Sequence, residues 1–154
     1  MEIERKFLVN AAIWSALDGM EAKEITQAYL SKSKEMTIRV RIKGTSGYLT
    51  IKGATEGISR EEFEYEIPVL EAKQLIDQFA EKSISKERYE VPFQGHTWEI
   101  DVFHGPLEGL VLAEIELSSE EEHFEKPNWL AKEVSDDLRY FNSHLIDTTF
   151  EALN

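Results

Sequence analysis

The sequence predicts an α+β fold in which most of the chain forms strands that close into a barrel with a charged interior. Three observations lead there. Apolar and polar residues alternate with a period of two along one segment after another, as in Met36 to Lys43 and Arg60 to Ile67. On most of these segments the polar face carries charges of both signs, with like pairs two residues apart: Arg39 and Arg41, Glu62 and Glu64, Glu114 and Glu116. A helical period takes over in only a few places, chiefly residues 70–82 and the C-terminal part of the chain.

Any one such strand is explained by a sheet with its apolar face on a core and its charges in water. The whole set is explained more completely by turning the charged faces inward and covering the apolar outside with helices. A charged lumen is costly unless its charges are paired, hydrated or neutralised by a ligand. A polyanion together with divalent metal ions would balance both signs at once.

Taken in order, Glu2 to Val9 reads as a strand with Glu2, Glu4 and Lys6 on one face and Ile3, Phe7 and Val9 on the other. Asn10 caps a short helix containing Ile13, Trp14 and Leu17, which Asp18-Gly19 ends. A second strand runs from about Lys23 to Ser33 with Gln27, Tyr29 and Ser31 on one side. The third, Met36 to Lys43, stops at Gly44, and a tight connection through Thr45-Ser46-Gly47 leads to Tyr48–Lys52. Arg60 to Ile67 forms the next strand, closed by Pro68. Leu70, Leu75, Ile76 and Phe79 then mark an amphipathic helix to about Lys82.

Strand spacing returns with Lys86, Arg88 and Glu90 up to Pro92, then with Glu99 and Asp101, and again in Val111 to Leu117. Beyond Ser118 the chain is expected to be helical: an acidic segment through Glu125, a break at Pro127-Asn128, and a final helix capped by Ser135 with Asp136 and Asp137 in its first turn. No repeat or linker divides the chain, so residues 1–154 are read as a single domain.

Composition narrows the function. Seventeen Lys and Arg against thirty Asp and Glu give a formal net charge of −13, which repels nucleic acid and anionic membranes at long range. A small anionic ligand is still admitted wherever the basic residues cluster. The chain has no cysteine, so disulfides, thiolate metal sites and cysteine nucleophiles are excluded. With no basic-then-apolar leader either, a cytoplasmic location is expected. Oligomeric state is not fixed, and a homodimer is left open.

The opening Glu2-x-Glu4-x-Lys6 resembles the signature of the CYTH proteins, the triphosphate tunnel metalloenzymes. Further matches follow in family order: Arg39-Val40-Arg41, Thr50-Ile51-Lys52, Arg60-Glu61-Glu62-Phe63-Glu64, Lys86-Glu87-Arg88-Tyr89, Asp101-Val102-Phe103 and Glu114-Ile115-Glu116. The tail from Glu133 to Asn142 is similar to that of the short bacterial members. The resemblance implies an antiparallel eight-stranded β-barrel forming a tunnel, with helices outside.

It also implies roles. Lys6, Arg39, Arg41, Lys52, Lys86 and Arg88 would hold phosphate oxygens, and Arg139 would reach the same anion from the C-terminal helix. Arg60 either joins them or pairs with neighbouring carboxylates. Glu2, Glu4, Glu114 and Glu116 would be the main ligands of a divalent metal. Glu62, Glu64 and Asp101 would complete its shell, hold a second ion or position basic side chains. Carboxylate oxygens suit Mg²⁺ or Mn²⁺.

Water attacking the terminal phosphorus would need a base, for which a dyad of Tyr29 and Lys52 matches the family; Tyr29 reads equally well as a packing residue. The expected activity is hydrolysis of inorganic triphosphate or a related small triphosphate. Class IV adenylate cyclase, thiamine triphosphatase and a non-catalytic polyphosphate or nucleotide sensor are the alternatives.

Overall fold

A computed structural model describes all 154 residues. Ten strands make up just under half of the chain: β1 (Glu2–Val9), β2 (Lys23–Lys32), β3 (Met36–Lys43), β4 (Ser46–Gly53), β5 (Ser59–Arg60), β6 (Glu62–Ile67), β7 (Ile84–Phe93), β8 (His96–Phe103), β9 (Val111–Glu116) and β10 (Leu130–Glu133). The helices are short: α1 (Ile13–Leu17), α2 (Val69–Phe79), α3 (Asn142–Leu145) and α4 (Phe150–Leu153). None is long and apolar enough to cross a membrane.

The strands form one antiparallel sheet in the order β10-β1-β9-β8-β7-β2-β3-β4-β6. The eight long strands are those the alternation predicts; β5 and β10, of two and four residues, are additions. The ladder does not close on itself, so the eight-stranded barrel is approximate. Its margins are instead brought near each other by β5, one residue upstream of β6, which pairs with the start of β1 through Glu2–Arg60 and Ile3–Ser59.

Alternation gives each long strand two chemically distinct faces. Outward residues of β1, β7, β8 and β9, among them Phe7, Val91, Trp98, Ile100, Ala113 and Ile115, form one core with Ile13 and Leu17 of α1 and with Phe124 and Trp129. Trp98 is its centre: fully buried, with its ring 5.6 Å from Phe7, 5.6 Å from Phe124 and 5.4 Å from Trp129, all edge-to-face. A second core differs in kind. Leu8, Ile84, Phe103 and Leu112 continue the inward faces of the charged strands, two residues beyond Lys6, Lys86, Asp101 and Glu114. They pack with Val134, Tyr140, Leu145 and Leu153, so the C-terminal segment closes one end of the lumen with an apolar floor.

Local departures have physical causes. The β3–β4 hairpin pairs Lys43 with Ser46, leaving Gly44-Thr45 as the turn, with Gly44 at φ +60°. Gly47 therefore lies in β4, where a side chain would meet Ala72 of α2 at 2.9 Å. A bulge in β2 between Tyr29 and Ser31 keeps Gln27 and Tyr29 on one face, opposite Arg41 and Arg39, but takes Ser31, now opposite Ile38, off it. Helix α2 buries Ala72 and half-buries Val69, Leu75 and Ile76, while the expected core positions Leu70 and Phe79 are exposed.

The segment 118–125 is not helical. The Glu122 carboxylate accepts from the Ser118 backbone N–H and hydroxyl and pairs with His96, while Phe124 turns into the core. Nor does Ser135 cap a final helix. Its hydroxyl accepts the Lys6 backbone N–H at 2.9 Å and donates to Glu133 at 2.6 Å, finishing the edge of β1 instead. Asp137 caps only a single 3-10 turn, Leu138–Tyr140.

Removing Trp98 leaves a large void beneath three aromatic partners. Trp98→Ala should cost about 3–5 kcal/mol in urea unfolding. Trp14→Ala, at an exposed position, should stay within about 0.5 kcal/mol of wild type.

Candidate active site

The inward faces enclose a cavity of about 500 Å³. Strand alternation delivers its lining: Glu2 and Glu4 from β1, Arg39 and Arg41 from β3, Lys52 from β4, Glu62 and Glu64 from β6, Arg88 from β7, and Glu114 and Glu116 from β9. These ten expected site residues, distant in sequence, share one space. Lys43, Tyr48, Glu99 and Asn142 line it too, beyond the expected set. The first three continue alternations already legible in β3, β4 and β8. Asn142 comes from α3, and nothing in its local pattern marks it.

Most of the cations are already held by the protein. Lys52 Nζ donates to both Glu2 oxygens at 3.0 and 3.2 Å, with Arg60 Nε 3.5 Å from the same carboxylate. Arg39 donates to Thr50 at 3.3 Å and lies 4.0 Å from Glu64. Arg41 donates through Nε and Nη2 to Gln27 Oε1 at 2.9 and 2.7 Å. Arg88 forks onto Asp101 at 2.7 and 2.9 Å and reaches Glu99 at 3.2 Å.

Several expected roles change on this geometry. Asp101 accepts from Lys86 at 2.6 Å and from Arg88, the positioning of basic side chains being one of the three roles expected of it. Lys86 is almost fully buried against the apolar floor, its ammonium 5.3 Å from the Phe103 ring, and does not line the cavity. Lys6 donates to the Tyr140 carbonyl at 2.8 Å, lies 3.5 Å from Glu114, and faces a small adjoining recess shared with Arg60.

Arg139 is outside the cavity altogether. The final helix expected to carry it is a single turn, and its guanidinium folds back onto Asp137 at 2.7 Å. Tyr29 lines a separate recess beside Lys32 and Ile146, and no hydrogen bond joins it to Lys52. The dyad is not assembled.

Electrostatics divide the carboxylates into two groups. Burial would raise the Glu114 and Asp101 carboxyls, but the cations around them prevail. Lys6 above all holds Glu114 down to about 2, and Lys86 and Arg88 hold Asp101 far below its ordinary value. Burial likewise opposes ionisation of Glu2, and Lys52, the Glu62 hydrogen bond and Arg60 together outweigh it. Glu4 behaves oppositely: burial, then the nearby Glu114 and Glu2, push it up to about 8. Glu62 is raised to about 7 by burial and by its hydrogen bond with Glu2.

Glu4, Glu62 and Glu116 have no Lys, Arg or His within ion-pair distance. Glu4 and Glu116 are also direct cross-strand partners, and like charges so placed repel unless a cation lies between them. This excess of hard oxygen donors fits a divalent ion. The acidic side chains do not form a ready-made cage of three or more, so Glu4, Glu116, Glu2 and Glu114 would hold an ion only after some swing inward.

A carboxyl raised in the folded state binds its proton more tightly there than in the unfolded chain. The Glu4 contribution to stability therefore falls as pH rises from its ordinary 4.5 towards about 8. In chelator-treated protein, Glu4→Gln should match wild type in Tm near about pH 5 and exceed it increasingly up to about pH 8. A Tm difference that stayed constant across that range would refute the placement of Glu4 among like charges.

Comparison with known proteins agrees with this arrangement. A family model described as the CYTH domain matches residues 1–149. The inorganic triphosphatase of Acetivibrio thermocellus is 46% identical over 153 residues, covering 97% of this chain and 96% of that protein. The inorganic triphosphatase of Nitrosomonas europaea is 37% identical over 150 residues, covering 94% and 95%. A crystal structure of an inorganic triphosphatase superposes with a TM-score of 0.67 at 34% identity, covering 95% of this chain and 94% of that one. Fold, charged cavity and sequence agree: the chain belongs to the CYTH domain family.

Proposed function

We propose that this protein is a metal-dependent triphosphatase that hydrolyses inorganic triphosphate to phosphate and pyrophosphate. The observation that carries the reading is the meeting, in one cavity, of Arg39, Arg41, Lys52 and Arg88 with the unpaired carboxylates Glu4, Glu62 and Glu116. Anion capture alone needs the first set and is hindered by the second. The names of the two relatives support the same activity.

Arg39, Arg41 and Arg88 suit forked contacts to phosphate oxygens, and Lys52 a point contact. Glu4 and Glu116, with Glu2 and Glu114, would hold Mg²⁺ or Mn²⁺, which when bound supplies charge neutralisation on the phosphate oxygens. The protein's own part is to hold the chain of phosphates in line with an attacking water, whose oxygen bonds the terminal phosphorus as the bridging P–O bond breaks. The guanidinium groups stabilise the charge that develops on the departing pyrophosphate.

In its deprotonated amine form, released from Glu2, Lys52 would be the group best placed to take the proton from water. It lines the cavity, and burial followed by Arg39 lowers its ammonium below the ordinary lysine range. Tyr29 serves packing in this reading. The cavity wall is polar except for Met1 and Tyr48, leaving no apolar slot for a nucleobase, which favours an unsubstituted triphosphate over ATP cyclisation. The overall negative charge disfavours nucleic acid while the clustered basic side chains of the cavity still admit a small anion, and the cysteine-free composition fits a cytoplasmic location.

The test is incubation with inorganic triphosphate, ATP and thiamine triphosphate in Mg²⁺ or Mn²⁺, followed by phosphate, pyrophosphate and cyclic AMP assays. Inorganic triphosphate should be turned over fastest and chelator should abolish turnover. Cyclic AMP as the main product would overturn the reading, and tight binding without turnover would favour a sensor. Glu4→Gln and Arg41→Ala should each lower kcat/KM by about 100-fold or more with an unchanged circular dichroism spectrum.

A further inference from the structure

Arg41 differs from the other basic side chains of the cavity in what holds it. Lys52 rests on Glu2, Arg88 on Asp101 and Glu99, and Lys43 on Glu90, while Arg39 has Glu64 at 4.0 Å. Arg41 alone among the cavity-lining cations has no carboxylate within that distance. Its two hydrogen bonds go to one neutral oxygen, Gln27 Oε1. Gln27 itself is fully buried, paired across the sheet with Arg41 on one side and with Ile84 of the apolar floor on the other.

The two N–H donors of Arg41 require an acceptor, which fixes the Gln27 amide with its oxygen towards the guanidinium. Its Nε2 then lies buried with no partner, a recognised cost. A methionine of similar length would avoid that cost but would leave both Arg41 donors without their acceptor. A glutamate would avoid it too, and would pair with Arg41 directly. For the unliganded fold, therefore, glutamate is the simpler solution. Glutamine becomes the better choice only if Arg41 must be held in place with its positive charge left unanswered.

We propose that Gln27 is a positioning residue that fixes the Arg41 fork through a neutral acceptor, so that the substrate is the first anion Arg41 meets. The proposal rests on reading the cavity as a triphosphate site and adds to it a residue outside the cavity lining. It also separates two kinds of cation. Arg88 and Lys52 must share their charge with protein carboxylates, whereas Arg41 offers its charge whole. Burial, then Arg39 and Arg88, lower Arg41 to about 9 against a smaller opposing pull from Asp101, and no carboxylate stands within ion-pair distance of it.

The experiment compares wild type, Gln27→Glu and Gln27→Met by kinetics with inorganic tripolyphosphate, calorimetric binding of tripolyphosphate, and thermal unfolding. Gln27→Glu should melt at or above wild type, because Arg41 gains an ion pair, while KM and Kd for tripolyphosphate rise about tenfold or more and kcat changes little. Gln27→Met should also raise KM, through a guanidinium no longer held. In an Arg41→Ala background, Gln27→Glu should have no further effect on tripolyphosphate binding, as a double-mutant cycle requires if it acts through Arg41.

A Gln27→Glu protein with wild-type KM and Kd, or one equally impaired when Arg41 is already absent, overturns the proposal. If Gln27→Glu fails to fold, Gln27→Met decides: wild-type binding sinks the idea, and a raised KM with kcat retained supports it. A wild-type protein that neither binds nor hydrolyses tripolyphosphate overturns the functional reading and this proposal with it. A competent wild type with an indifferent Gln27 overturns this proposal alone.

Discussion

Ionised groups withdrawn from water lose solvation worth several kcal/mol each unless something inside the protein answers them. That constraint organises this molecule. Its sheet turns a charged face inward on nearly every long strand, and the arrangement persists because the charges are largely cross-braced: Lys52 on Glu2, Lys6 on Glu114, Arg88 and Lys86 on Asp101. Where bracing stops, at Glu4, Glu62, Glu116 and Arg41, capacity for a ligand begins. Stability thus comes from the two apolar cores and the paired part of the lumen, and function from the unpaired part.

This division clarifies what a carboxylate or cation in such a lumen is for. Asp101, held far below its ordinary titration range by two cations, acts as a fixed brace that aims Arg88. Glu4, raised by burial and its acidic neighbours, is the reverse: a group whose ionisation the protein alone resists and a bound cation would restore. The two residues are chemically similar and differ by a single methylene. Their surroundings give them opposite tasks.

The period-two alternation makes the strands and their charged faces legible in the amino-acid sequence, because side-chain direction in a strand depends on parity alone. Parity also carries most of the cavity lining, from Glu2 on β1 to Glu116 on β9. What it cannot carry is partnership. That Asp101 belongs to Lys86 and Arg88 depends on the register of β7 against β8, and no single strand encodes that. The expected final helix is lost for a similar reason, since tertiary hydrogen bonds to Lys6 and Glu133 claim Ser135. Gln27 is visible on its strand face but silent, being neutral among charges.

The apolar floor has a further consequence. Leu8, Ile84, Phe103 and Leu112 make the lumen a well rather than a pipe at that end. A linear anion in this lumen would keep its charge with Arg39, Arg41, Lys52 and Arg88 and away from that apolar end. On the proposed function, such a well would favour a chain of phosphates whose leading end carries no bulk, and its products would leave past the same charges that drew the substrate in.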